Sequence, residues 1–143
     1  MPEPLQNVVY AEPQGPRRGV SPLSFTATVE RLKAAIEAEG LWLIHEIDPE
    51  QLLARGGYCI LPVRQLLFFH PRFMVPLLEA NPDGLIEAPL KLVVLQRPGG
   101  EVSIHHPDVA AAFAQHPGLE PLGIELASLC QRIVDAVTAG EPR

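Results

Sequence analysis

The sequence predicts an α+β fold with a largely antiparallel sheet and helices packed on one face. Three observations predict it. Strand-like runs alternate with helical runs, a Pro-Gly-Gly turn joins two adjacent strands into a hairpin, and an amphipathic helix closes the chain. A hairpin makes neighbouring strands antiparallel, and helices near both ends of the chain can cover one sheet face. The other face would then meet water or a second subunit.

The composition favours a single domain. The chain has 143 residues, of which 47% are hydrophobic and 20% charged, enough to bury a core. The net charge of -6 disfavours nucleic acid as a partner, because binding phosphates needs clustered Lys and Arg. No apolar run has the length of a membrane span and no signal peptide is recognisable, so we expect a cytoplasmic protein without membrane contact.

The chain is expected to divide into an N-terminal arm, residues 1–22, and one α+β domain, residues 23–143. The arm is rich in Pro and Gly and contains one strand candidate, Asn7 to Ala11, before a loop over residues 12–19. Ser24 can cap a first helix, and Gly40 ends it. The apolar stripe of this helix is Phe25, Val29, Leu32 and Ile36.

A strand and a capped short helix follow. Leu41 to Ile47 is typical of a strand. Asp48 is expected to be the N-cap of the helix, with Pro49 at the first helical position and Gln51 completing a capping box. The helix is predicted to stop at Gly56 and Gly57. Trp42, within the strand, is expected in the core or at a dimer interface.

The middle of the chain predicts a central strand and a helix. Val63 to Phe69 is apolar on both faces near its end, which is typical of an interior strand. A helix is predicted over Arg72 to Ala80, with its regular part at Val75 to Ala80, because Pro76 should be tolerated only in a first turn. The following Asn-Pro-Asp-Gly, residues 81–84, is a turn signal.

The C-terminal part predicts a hairpin and two helices. Strands over Leu90 to Arg97 and Val102 to His105 are joined by Pro98 to Glu101. A short Ala-rich helix begins at Pro107, and a break at Pro117-Gly118 precedes the last helix. The apolar stripe of that helix is Leu122, Leu126, Leu129, Ile133 and Val137.

An ordered series of short motifs runs from Ser24 to Gly118. These are Thr28–Leu32, Gly40-Leu41, Ile47-Asp48, Leu61-Pro62, Phe69–Pro71, Pro76–Leu78, Pro82, Ala88–Lys91 and Pro107. In their order and spacing the chain resembles the bacterial and archaeal domain-of-unknown-function family numbered 302. The resemblance implies a fold similar to the TATA-binding-protein-like arrangement and a homodimer. It implies no activity.

The chain departs from the family pattern at three polar positions. The usual Asp-His is Asp48-Pro49 here, so a histidine is lost. The usual Phe-Gly-Asn-Pro is residues 68–71, where Phe69 and His70 replace glycine and asparagine. The usual Tyr-Asn-Asp-Pro is residues 104–107, with the loss of a tyrosine hydroxyl and a carboxylate. The departures indicate that a polar site shared by relatives is lost here or binds something else.

The candidate ligand or metal site consists of His70, His105, His106, Asp48 and Cys59. The histidines follow strand ends, where sites collect, and imidazole is a common ligand of transition metals. A metal ion or haem is therefore a possible cofactor. Adjacent residues of an extended chain point to opposite faces, which separates His105 from His106. No zinc-type spacing is present.

Structural roles also account for these residues. His106 could cap the helix that begins at Pro107, His70 could be a surface residue, and Asp48 could serve as the N-cap alone. Cys59 and Cys130 are expected to be buried thiols.

Three hypotheses of function remain. The first is a non-catalytic binding or interaction module, dimeric through the open sheet face or the last helix, with an unknown small-molecule ligand. The second is a metal- or haem-binding protein that uses strand-end histidines. The third is an enzyme of unknown reaction.

Overall fold

A computed structural model of the chain describes residues 4–12 and 17–138, so parts of the predicted arm, of the loop over 12–19 and of the C-terminal tail lie outside the described residues. The strands are β1 (Gln6–Asn7), β2 (Gly19–Ser21), β3 (Trp42–Ile47), β4 (Tyr58–Cys59), β5 (Val63–Phe69), β6 (Leu90–Gln96) and β7 (Val102–His105). The helices are α1 (Phe25–Ala38), α2 (Pro49–Arg55), α3 (Pro71–Ala80), the 3-10 helix η1 (Pro82–Glu87), α4 (Val109–Ala114) and α5 (Glu120–Thr138).

Five strands form the main sheet in the order β2, β7, β6, β5, β3, and every neighbouring pair is antiparallel. This confirms the predicted hairpin and the interior position of Val63–Phe69. The short β1 and β4 form a separate parallel pair. β2 lies within the segment expected to be an arm, yet it is an edge strand of the main sheet.

The two predicted amphipathic helices, α1 and α5, cover one sheet face. Alternation along the strands places Leu66, Phe68, Leu92, Val94 and Ile104 on that face, and all five are fully buried. The Ser24 side chain accepts a hydrogen bond from the Ala27 amide, as a helix N-cap does. Gly40 follows α1 at φ +75°, a conformation that favours glycine, and so turns the chain into β3.

Along α1 the apolar stripe enters the core, with Leu32 and Ile36 fully buried. Along α5 the stripe does the same from Leu126 to Val137. No helix of the described residues is long and apolar enough to cross a bilayer.

Two local predictions about helix starts are wrong. α3 begins at Pro71, so Pro76 lies inside the helix rather than in its first turn. α4 is capped by Asp108, whose carboxylate accepts a hydrogen bond from the Ala111 amide, and not by His106. In both cases a side chain directly before the helix satisfies a free amide, which fixes the start. The predicted turn at residues 81–84 is extended into η1, with Asn81 as its cap.

Candidate functional site

Asp48 is held by structural contacts at one end of the sheet. Its Oδ1 accepts hydrogen bonds from the amides of Glu50 and Gln51, at 3.0 and 3.4 Å, which confirms its role as the N-cap of α2. The same oxygen lies 3.2 Å from the Arg64 guanidinium, which also contacts Glu46 and Glu50. These half-buried ion pairs and amide bonds account for the Asp48 carboxylate without any ligand.

His70 is the N-cap of α3. Its Nδ1 accepts a hydrogen bond of 3.0 Å from the Arg72 amide, and its ring meets the Trp42 ring edge-on at a centroid distance of 4.8 Å. The Arg72 guanidinium donates to the carbonyls of Glu39 and Gly40, which fixes α3 to the end of α1. His70 is therefore positioned by a helix start and an aromatic neighbour.

An apolar hollow of about 250 Å³ lies beside this histidine, at the β3 edge of the sheet. We call it the Trp42 patch; its lining includes Trp42, Ile44, His70, Pro71, Met74 and Val75. Trp42 is 60% exposed, which excludes the core, one of the two positions expected for it, and leaves the dimer interface as a prediction. Trp42 stands at an edge of the sheet because, within the described part of the chain, β3 pairs with β5 alone.

His105 lies on the face of the sheet away from α1 and α5. Its Nε2 is 2.8 Å from the Ser103 hydroxyl and 3.5 Å from the Arg97 guanidinium. Burial, and then the charges of Arg97 and Arg17, lower the pKa of His105. The Ser103 hydroxyl also donates a hydrogen bond to the Leu95 carbonyl at 3.3 Å. Ser103 itself is fully buried, so its hydroxyl has no access for a substrate.

His106 lies one residue beyond the end of β7. Its Nδ1 is 2.8 Å from the Pro107 carbonyl, and its Nε2 is buried without a hydrogen-bond partner among the described residues. Burial lowers the pKa of His106, the Pro107 contact opposes that shift, and Arg18 adds to it. The unpartnered nitrogen favours the uncharged ring.

The structure does not bring the candidate residues together. β7 has only four residues, and His105 is aligned through Val93 with Gln65 of β5. His70 lies five residues further along β5, roughly 17 Å away along the strand alone. The expectation that His70 and His105 meet at one sheet edge is therefore wrong. Among residues 4–12 and 17–138, no group of three or more His, Cys, Asp or Glu side chains could hold a metal ion.

The two cysteines differ. Cys130 is buried on α5, and this burial raises the pKa of its thiol to about 12. Cys59 is exposed on β4, which corrects the expectation of two buried thiols. Among the described residues, β4 pairs with the short β1 and lies outside the main sheet.

Two arrangements were not predicted. The first is the row formed by Arg97, Ser103 and His105, although alternation along a hairpin could have indicated it. The second is a pocket beside the end of β7, which depends on contacts far apart in sequence. We call it the Lys91 pocket; its lining includes Ile86, Pro89, Lys91, Pro107, Val109 and Ala112.

The family model described as "Domain of unknown function DUF302" matches residues 18–137. The chain belongs to this family. The crystal structure of an uncharacterized conserved DUF302 protein from Bacillus stearothermophilus superposes with a TM-score of 0.76 at 21% identity, covering 82% of this chain and 94% of that chain. At this identity the likeness shows the fold, which confirms the α+β prediction. No curated protein matched the chain.

The residues expected to depart from the pattern of relatives are Pro49, His70 and His106. Pro49 occupies the first position of α2 and His70 caps α3, while the His106 imidazole is partly buried. Nothing in their placement joins them into one polar site.

Proposed function

We propose that this chain is a non-catalytic binding module that works as a homodimer joined through the Trp42 patch. Three large apolar side chains are exposed next to one another in this patch. Trp42 is 60% exposed, Ile44 56% and Val75 53%. Apolar patches of this kind on a folded surface mark interaction sites, and Trp is enriched where binding energy concentrates.

A second copy of the chain is the partner that would bind at this edge of the sheet. β3 is an edge strand, and an unpaired strand edge is a template for pairing with another strand. Antiparallel pairing of β3 with its copy would bring the two patches together, since a two-fold interface uses the same surface twice. The lining of the patch contains no Asp, Glu, Lys or Arg, so the two copies would not bring like charges together.

The positions of the polar candidates support a non-catalytic role. Asp48 and His70 cap helices at opposite ends of β3, and His105 lies beside a hydroxyl that is fully buried. The net charge of -6 supports the proposal that nucleic acid is not a partner. A location in the cytoplasm, away from membranes, belongs to the same proposal.

The molecular mass in solution tests the dimer. Light scattering should give twice the chain mass of 15.6 kDa for the unaltered protein at micromolar concentration. Trp42→Glu and Val75→Glu should each give a monomer, because a buried charge in the interface is costly.

Two control variants separate the patch from other surfaces. Leu52→Glu changes an apolar residue on α2 that is 59% exposed and should leave the dimer intact. Ile124→Glu, at a residue of α5 that is 63% exposed, should do the same. A monomeric parent protein would overturn the proposal. A dimer lost only in Ile124→Glu would also overturn it, in favour of the last helix.

A further inference from the structure

The Lys91 pocket is a cavity of about 260 Å³ at the place where β7 ends. β7 stops at the row of Val93, so the first residues of β6 have no strand on that side. Three residues from the chain after β7, Pro107, Val109 and Ala112, line the pocket together with Ile86 and Pro89. Apart from two charged side chains, the lining is apolar, as in most sites for small molecules.

Lys91 supplies a free positive charge to this pocket. Within residues 4–12 and 17–138 its ammonium has no hydrogen bond or ion pair. It projects from the sheet face opposite α1, in the register position across from Leu67, which also lines the pocket. A partly buried cation without a partner beside an apolar cavity fits an anionic group on an apolar body.

The other charged residue of the lining, Glu87, already has a partner. Its Oε2 is 2.8 Å from His116 Nε2, and both side chains are mostly buried, at 24% and 18% exposure. Glu87 therefore has a partner in His116, whereas Lys91 has none among the described residues. The pocket thus holds one paired acidic group and one unpaired cation.

We infer that the Lys91 pocket binds a small monocarboxylic acid with an aromatic or branched apolar body, its carboxylate against Lys91. The cavity lies just below the usual size range of ligand pockets, which limits the ligand to roughly ten non-hydrogen atoms. The pocket shares no lining residue with the Trp42 patch, so this site does not depend on the proposed dimer.

Three probes with one skeleton test the charge requirement: 3-phenylpropanoate, its amide and phenylalanine. Titrations followed by amide NMR shifts should show binding of the acid, with the largest shifts at Ile86, Glu87 and Ala112. The amide should bind about tenfold or more weakly, the loss expected for one charge-assisted hydrogen bond. Phenylalanine should bind no more tightly than the acid. Equal binding of acid and amide would overturn the inference, and tighter binding of phenylalanine would assign the pocket to zwitterions instead.

Variants of the pocket supply the matched controls. Lys91→Met should weaken the acid about tenfold or more while leaving the affinity for the amide unchanged, which also shows that the pocket is intact. Lys91→Arg should keep the affinity for the acid. Ala112→Phe should abolish binding of both the acid and the amide, because the larger side chain fills the cavity. Unchanged acid affinity in Lys91→Met, or no shift at the pocket with any probe, would contradict the inference.

Discussion

At the level of single residues, two of the five candidate site residues, Asp48 and His70, are helix caps. Asp48 and His70 each accept a hydrogen bond from a free helix amide. The role of Asp48 could be predicted, because Pro49 and Gln51 complete a local pattern. The role of His70 could not, because histidine is not a usual N-cap and its contact with Trp42 depends on the pairing of β3 with β5.

The ionisation of His106 makes a testable prediction. Burial lowers the pKa of His106 in the folded protein, Arg18 adds to this shift, and the Pro107 carbonyl and Asp108 oppose it. As the pH falls, the His106 ring therefore takes up a proton in the unfolded chain before it does so in the folded protein. The contribution of this ring to the free energy of unfolding is fully present above about pH 6.5 and is lost as the pH decreases below that value. Unfolding by denaturant at pH 7.5 and at pH 5 should show that His106→Gln loses less free energy of unfolding over this interval than the parent protein does.

The lowered pKa of His105 acts in the same direction. The free energy of unfolding of the double variant His105→Gln/His106→Gln should therefore change even less between pH 7.5 and pH 5. If the parent and the His106→Gln variant lose the same free energy between the two pH values, the buried and uncharged state assigned to His106 is wrong.

At the scale of elements, periodicity predicted the helices that carry the core. α1 places Leu32 and Ile36 at complete burial, and α5 buries its stripe beside them. These helices were predictable because apolar residues repeated about every 3.6 positions form a single buried face only when the chain is helical. The residues that bound α1, Ser24 and Gly40, were also predictable because each acts through neighbours in the sequence.

Truncation in α1 tests this packing. Leu32→Ala and Ile36→Ala should each reduce the free energy of unfolding by about 2–5 kcal/mol, since each removes a fully buried side chain and leaves a cavity. The control Glu37→Ala, on the exposed side of the same helix, should change it by no more than about 0.5 kcal/mol. Losses below about 1 kcal/mol in both core variants would show that α1 is not packed as described.

α3 shows where local rules fail. Pro76 removes one helical hydrogen bond and costs about 3 kcal/mol in a helix interior. Against that, α3 buries Phe73 and Leu77, each worth about 1.5–3 kcal/mol, and Arg72 and His70 hold its first turn. Packing therefore outweighs the proline, a balance that the residues around Pro76 alone do not reveal.

At the scale of the whole molecule, the fold class followed from the hairpin and the helix stripes, but the edges of the sheet did not. β2 has three residues, and its pairing with β7 joins positions more than 80 residues apart. Such short edge strands carry little local signal. The Lys91 pocket and the Trp42 patch could not be predicted for the same reason. Both depend on where strands end or lack a neighbour, and that is set by pairing between distant parts of the chain.

The fluorescence of Trp42 reports directly on the proposed dimer, because Trp42 is the single tryptophan of the chain. Its ring is 60% exposed in one subunit and would be buried in a dimer joined at this patch. A dimer joined at the Trp42 patch should show blue-shifted emission and weak quenching by acrylamide at concentrations where the mass is doubled. Its emission should shift to the red on dilution to the monomer. Red, readily quenched emission from a protein that is dimeric by mass would contradict a dimer joined at this patch.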